Sequence, residues 1–184
     1  MSDNQRKTLV PLSPFPAFEV SDLQGNMLDE KNLKKGKLLF SFYRYSECLF
    51  CNLRIHDLLK RLPDYEAKGL QVVIVFQSPE DDIRRSMQKH EVPFSIISDP
   101  KRELYRKFHL NEHSPWGYFR ACLRLVRVLR ARLKGYPIER GYGSATLLPA
   151  DFLVRDGVIE DAFYAKDISE HIPFSRIEAF LNKA

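Results

Sequence analysis

The sequence predicts an α/β fold, a central mixed sheet flanked by helices. Three observations carry this. The apolar runs Leu38–Tyr43 and Gly69–Phe76 each precede a segment of helical character, the rhythm of parallel strands joined by crossover helices. The same rhythm repeats on a smaller scale at Phe94–Pro100 and Glu103–Phe108. The chain then closes with two strands around Arg155-Asp156-Gly157, whose turn chemistry makes them antiparallel neighbours.

Taken in order, residues 1–14 read as a loose lead-in rich in polar residues and proline. Phe15–Val20 followed by Ser21-Asp22-Leu23-Gln24-Gly25 predicts a short edge strand and a turn, because proline is tolerated at sheet edges and Asp and Gly mark the exit. Leu38–Tyr43 has the length of a central strand. Behind it, the amphipathic segment Asn52–Leu62 places Leu53, His56, Leu59 and Leu62 at helical spacing, and Pro63 marks its break. Gly69–Phe76 is β-branched and apolar, as in a strand covered on both faces. Ser78 is expected to cap the next helix, with Pro79 in its first position and acids in its first turn.

Trp116–Lys134 predicts a basic amphipathic helix. Tyr118, Cys122, Leu125, Leu129 and Leu133 lie on one side, and Arg120, Arg124, Arg127 and Lys134 on the other. Gly135 ends it, and Tyr136–Ser144 reads as a mobile loop. Residues 112–145 therefore form an inserted helical segment and loop before the final hairpin, Thr146–Val154 with Val158–Tyr164, and Phe174–Leu181 is the closing helix. No internal repeat is present, and one domain is expected over residues 1–184. The arginine-rich face reads first as solvated surface; its functional readings are a lid, a homodimer contact or an anionic-membrane contact.

With 184 residues, 44% of them hydrophobic, the chain can bury one substantial core. A charged fraction of 29% with ordinary Gly and Pro content excludes disordered and fibrous classes. The net charge of +5 is concentrated in the insertion and does not by itself imply a polyanionic partner. No phosphate-binding glycine loop or aromatic-interleaved basic signature is present, so no nucleic acid is expected. The polar start, with no long apolar run behind it, leads to the expectation of a soluble, cytoplasmic protein without membrane contact. Three cysteines are too few for a disulfide scaffold; in a reducing compartment, a close pair is catalytic or metal-binding.

That pair is Cys48-Leu49-Phe50-Cys51, placed between the strand Leu38–Tyr43 and the helical segment after it. A strand that delivers Cys-X-X-Cys to a helix start makes a reactive thiolate, because the unpaired N–H groups of the first turn and the positive end of the macrodipole stabilise the anion. Zinc would need four ligands, and beyond His56 no second ligand pair stands at metal spacing, so neither a metal nor another cofactor is expected. His56, His90, His109, His113 and His171 show no paired base geometry and receive no role.

Four stretches in order resemble the thioredoxin fold and, within it, the peroxiredoxin-like branch of the alkyl hydroperoxide reductase and thiol-specific antioxidant family. Phe15-Pro16-Ala17-Phe18 with Asp22 and Gly25 is similar to its opening segment, and Phe42-Tyr43-Arg44 running into Cys48 and Cys51 is similar to its active-site strand and loop. Phe94 with Ser98-Asp99-Pro100 resembles its middle stretch, and Leu148–Val154 with Asp156-Gly157 its final hairpin. The resemblance implies a thioredoxin-like domain with the basic helix inserted before the hairpin. It puts Cys51 where peroxiredoxins hold the peroxide-attacking cysteine, and Cys48 where they hold a threonine and thioredoxins their first cysteine. Pro149 matches the thioredoxin proline that is usually preceded by a cis peptide and receives the substrate chain.

The chain departs from the family in lacking a proline near Arg44 and an arginine near Pro149; Arg44 or Arg54 is the candidate to supply that charge. Glu47 replaces the thioredoxin tryptophan, and a carboxylate there disfavours a thiolate at Cys48. The resemblance thus implies an antioxidant peroxidase in which Cys51 attacks a hydroperoxide and its sulfenic acid condenses with Cys48 or Cys122. The other enzymatic reading is thiol-disulfide exchange, Cys48 attacking a disulfide and Cys51 resolving it. Either takes electrons from an external thiol, a thioredoxin- or glutaredoxin-like protein or glutathione. A reading of a different class is a non-enzymatic binding module that docks through the basic helix.

Overall fold

The computed structural model describes residues 8–33, 35–87, 92–110 and 147–183. The inserted basic segment, with Cys122, lies outside the described residues. Two short strands, β1 (Glu19–Ser21) and β2 (Met27–Asp29), form an antiparallel ribbon. The main sheet contains β3 (Lys37–Phe42), β4 (Leu70–Phe76), β5 (Ser95–Ser98), β6 (Ala150–Arg155) and β7 (Val158–Tyr164) in the order β5-β4-β3-β6-β7. Strand β3 runs parallel to β4 and antiparallel to β6, with Ser41 opposite Ile74 on one side and Asp151 on the other. The mixed sheet expected from strand–helix repeats followed by a hairpin is therefore present. In the hairpin turn both Asp156 (φ 48°) and Gly157 (φ 80°) are left-handed, the geometry for which Asp-Gly is favoured.

The helices are α1 (Glu30–Leu33), α2 (Leu49–Leu59), α3 (Leu62–Glu66), α4 (Glu80–Met87), α5 (Glu103–Lys107) and α6 (Phe174–Asn182). Alternation along β3 sends Leu38, Phe40 and Phe42 to one face and Leu39, Ser41 and Tyr43 to the other. The first face packs on Phe15, Phe18, Tyr105 and Phe108 in an aromatic cluster, with Phe40 and Phe108 stacked at 5.2 Å. The second packs beneath α2 and α6, where Leu39 and Tyr43 join Cys51, Ile55, Leu58, Ile177 and Phe180. Burial of such side chains stabilises the fold by about 1.5–3 kcal/mol each, and it fixes α2 against the C-terminal end of β3.

Three local expectations change. Helix α2 starts at Leu49 rather than Asn52, and Pro63 stands in the first turn of α3, where its missing N–H costs nothing. Residues 8–14 run along β7, with Leu12 N donating to Ile159 O at 2.7 Å and Ile159 N to Ser13 O at 3.0 Å, which covers an otherwise open edge. Ser78 does not cap α4: Asp82 N and Ile83 N both reach Pro79 O, and the Ser78 side chain turns toward the loop after β3.

Candidate active site

The loop from Tyr43 to Cys48 is held at both ends by backbone bonds. Tyr43 N donates to Val75 O at 2.9 Å, Gln77 N to Arg44 O at 3.0 Å, and Cys48 N to Tyr45 O at 3.0 Å. Between them, Ser46 N donates to Ser78 Oγ at 3.0 Å, and Asn52 Nδ2 donates to Ser46 O at 2.8 Å and Cys48 O at 3.1 Å. Neither Ser78 nor Asn52 carries a sequence signal for this role beyond being polar beside apolar neighbours. Tyr105 in α5 closes the strand end from the opposite face, its hydroxyl donating to Tyr43 O at 2.7 Å.

Cys48 is the N-cap of α2, and Cys51 lies within the helix's first turn. Both are free thiols, Cys48 2% and Cys51 0% exposed. Burial opposes ionisation of Cys48. A hydrogen bond from Cys51, the Arg44 guanidinium and the backbone N–H groups of Cys51 and Phe50 outweigh it and bring Cys48 down to about 6. Arg44 Nη1 donates to Cys48 Sγ at 3.4 Å. Burial pushes the Cys51 thiol up, and its hydrogen bond to Cys48 together with the Cys48 charge pushes it further. The two sulfurs thus form one unit in which one proton is held on Cys51 and the anion sits on Cys48.

Glu47, expected to oppose a Cys48 thiolate, accepts from Ser46 Oγ at 3.0 Å, and the Cys48 thiol is depressed despite its neighbour. Of the two candidate arginines, Arg44 meets the dithiol. Arg54 is directed elsewhere, donating to Ile172 O at 2.6 Å and stacking over Phe174 at 3.7 Å. Pro149 sits just before β6; its carbonyl accepts from Ala165 N at 3.0 Å, and Leu148 packs with Ala165 and Ile168 against Phe50 of the Cys-X-X-Cys segment. The peptide before Pro149 is trans, not cis: no cis peptide occurs among the described residues, and the hairpin pairing continues in extended form through Pro149.

Residues given no role in the sequence also gather here. His171, on the loop before α6, places Nδ1 3.0 Å from Asp151 Oδ1 and its ring 4.4 Å from that of Tyr43. Asp151 additionally accepts from Ser41 Oγ and from Ile172 N at 2.7 Å. Burial raises the Asp151 carboxyl, but the His171 ring, Arg54 and Ser41 together hold it below the usual range. Among the described residues, no three His, Cys, Asp or Glu side chains converge as a metal site, and no helix is long and apolar enough to cross a membrane.

A mixed sheet of this strand order, with Cys48 and Cys51 at the start of the helix that follows its central strand, is the thioredoxin-like fold of thiol-dependent oxidoreductases. The model of the AhpC/TSA family matches residues 11–161, and the chain belongs to that family. No curated protein is a significant sequence match. Among solved structures, the thiol peroxidase from Chromobacterium violaceum superposes with a TM-score of 0.65 at 15% identity, over 95% of this chain and 87% of that one. A peroxidoxin from Mycobacterium tuberculosis gives 0.67 at 11% identity over 94% and 96%. The thioredoxin domain of a thiol-disulfide oxidoreductase from Bacteroides vulgatus gives 0.55 at 18% over 95% and 100%. At these identities the likeness is one of fold.

Proposed function

We propose that this protein reduces hydroperoxides, with Cys48 as the attacking thiolate and Cys51 as the resolving thiol. The observation that carries this is the Arg44 guanidinium on the Cys48 sulfur. It holds the nucleophile ionised near neutral pH. Burial of both sulfurs supports a small hydroperoxide as oxidant in preference to a disulfide carried on a folded protein.

Cys48 attacks the terminal peroxide oxygen, the O–O bond breaks, and the alkoxide leaves and takes up a proton from solvent as an alcohol. Cys48 is then a sulfenic acid. The Cys51 sulfur attacks it, the S–S bond forms, and hydroxide leaves with the Cys51 proton as water. An external thiol, of thioredoxin or glutaredoxin type or glutathione, returns the pair to the dithiol by exchange. Thiol-disulfide exchange is the second reading, favoured by the asymmetry of the pair: an ionised first sulfur and a protonated second one suit attack and resolution equally well.

The test is mass spectrometry after one equivalent of hydrogen peroxide. The expected product is a Cys48–Cys51 disulfide. In Cys51→Ser, a sulfenic acid trapped on Cys48 by a diketone is expected, and in Cys48→Ser neither species forms. Peroxide consumption at the wild-type rate by Cys48→Ser, lost instead in Cys51→Ser, would reverse the assignment. Reduction of an insulin-type disulfide that outpaces peroxide reduction would select exchange.

A further inference from the structure

Joining Cys48 to Cys51 removes a charge from the site as well as two hydrogens. In the reduced protein the Arg44 guanidinium donates to Cys48 Sγ at 3.4 Å, with Arg44 1% and Cys48 2% exposed. Water is excluded from both partners, so little screening reaches the contact. The contact is also arranged in advance by the backbone around it. Gln77 N holds the Arg44 carbonyl at 3.0 Å, Cys48 N reaches Tyr45 O at 3.0 Å, and Asn52 Nδ2 holds the Cys48 carbonyl at 3.1 Å. Cys48 is moreover the N-cap of α2, where the N–H groups of the first turn favour an anion over a neutral sulfur. The Tyr45 ring also faces the guanidinium, at 4.9 Å, an attraction that does not depend on the state of the dithiol.

A disulfide carries no charge for the guanidinium or the helix start to meet. Taking one partner from a buried ion pair while the other stays in place is strongly destabilising, and that penalty falls on the oxidised state alone. We propose that Arg44 makes the Cys48–Cys51 disulfide strongly oxidising, so that a low-molecular-weight monothiol of the glutathione class regenerates the dithiol without a dedicated protein reductant. The inference deepens the reading above and rests on it only for the bond between these two cysteines. The enclosure that favours a small oxidant favours a small reductant for the same steric reason.

The regeneration takes two exchanges. One thiolate RS⁻ attacks a sulfur of the disulfide, the S–S bond breaks, and a mixed disulfide forms as the other protein sulfur is released. A second RS⁻ attacks the small-thiol sulfur of the mixed disulfide, RSSR leaves, and the second protein sulfur is released. Two electrons pass from two RSH to the protein. Of their two protons, one rests on Cys51 and one goes to solvent, and Cys48 is again the anion that Arg44 faces.

The full chain is equilibrated at neutral pH in mixtures of reduced and oxidised glutathione, its free thiols are blocked, and the dithiol and disulfide forms are counted by mass. Oxidised glutathione forms the disulfide here, so the result does not depend on peroxide being the oxidant. In Arg44→Met the equilibrium is expected to move toward the disulfide at least about fivefold, the effect at neutral pH of a Cys48 midpoint moved from about 6 to about 7. That is about 20 mV at 29.6 mV per tenfold. Arg44→Lys, which keeps a charge, is expected to move it less. In the wild type, the reduced form is expected to have a higher denaturant midpoint than the disulfide form, against the usual effect of a disulfide. A wild-type disulfide form more stable than the dithiol form overturns the proposal without need of a variant. So does an equilibrium that Arg44→Met leaves unmoved, which would assign the poise to the helix start. If glutathione mixtures give the expected shift while peroxide forms no Cys48–Cys51 bond, the peroxidase reading fails and the role of Arg44 stands.

Discussion

Arg44 donates to Cys48 Sγ from four residues earlier in the chain, across 3.4 Å, with its side chain enclosed by the loop it belongs to. A guanidinium that is 1% exposed is kept charged chiefly by having an anion to face. Burial lowers its proton affinity, while the Cys48 and Cys51 sulfurs raise it beyond the ordinary value. Each partner therefore holds the other ionised. Arg44→Met, which keeps most of the volume, is expected to move the Cys48 thiolate absorbance midpoint from about 6 upward by at least about one unit, worth about 1.4 kcal/mol. A midpoint at about 7 leaves about half of the thiol ionised at neutral pH, so reaction with peroxide there should slow about twofold with it. An unchanged midpoint would place the stabilisation in the helix start alone.

The depressed Cys48 thiol makes stability depend on pH. A thiol in the unfolded chain titrates near about 8.5, whereas Cys48 titrates at about 6. Between those values the unfolded chain binds more protons, so the stability of the reduced protein rises with pH across that window. The contribution is fully present above the unfolded value and is lost as pH falls through about 6. Denaturant midpoints of the wild type and Cys48→Ser, compared from about pH 5.5 to about pH 8.5, should diverge as pH rises. A constant difference would refute the depressed thiol.

Ser78 holds the middle of the loop from Tyr43 to Cys48 through a single buried bond from Ser46 N. Ser78→Ala leaves that N–H without its partner, at an expected cost of about 1–3 kcal/mol. Hydrogen exchange at the Ser46 amide should accelerate before that of β3 does. Exchange at the wild-type rate would mean that Asn52 holds the loop unaided.

Asp99 caps α5 with both oxygens, accepting from Glu103 N and Leu104 N at 2.8 Å each. Because Tyr105 of that helix ties down the carbonyl of Tyr43, loosening α5 reaches the dithiol strand. Asp99→Ala is expected to destabilise the protein by about 1–2 kcal/mol, read as a lowered thermal midpoint. Tyr105→Phe should leave the α5 cap intact while increasing exchange at the end of β3. Loss of the cap with no change in thermal midpoint would count against this coupling.

How much was legible follows from which interactions are local. The strands β3 and β4, the Asp-Gly hairpin and the junction carrying Cys48 and Cys51 are written in runs of a few residues, where side-chain alternation and backbone preferences act directly. Ser78 misled because its local signal, Ser-Pro before acids, is that of a helix cap; a bond to Ser46, 32 residues away, claims the side chain. His171 carried no signal because its meaning lies in Asp151, 20 residues earlier, and in a Tyr43 ring from the other side of β6.

The sequence by itself determined the α/β order and the presence of a dithiol at a strand-to-helix junction, since both depend on neighbours along the chain. Which sulfur holds the anion was decided only by the tertiary structure. Two thiols three residues apart differ little in the unfolded chain; the difference arises when folding removes water from both, turns Arg44 and the N–H groups of α2 toward Cys48, and leaves the proton on Cys51.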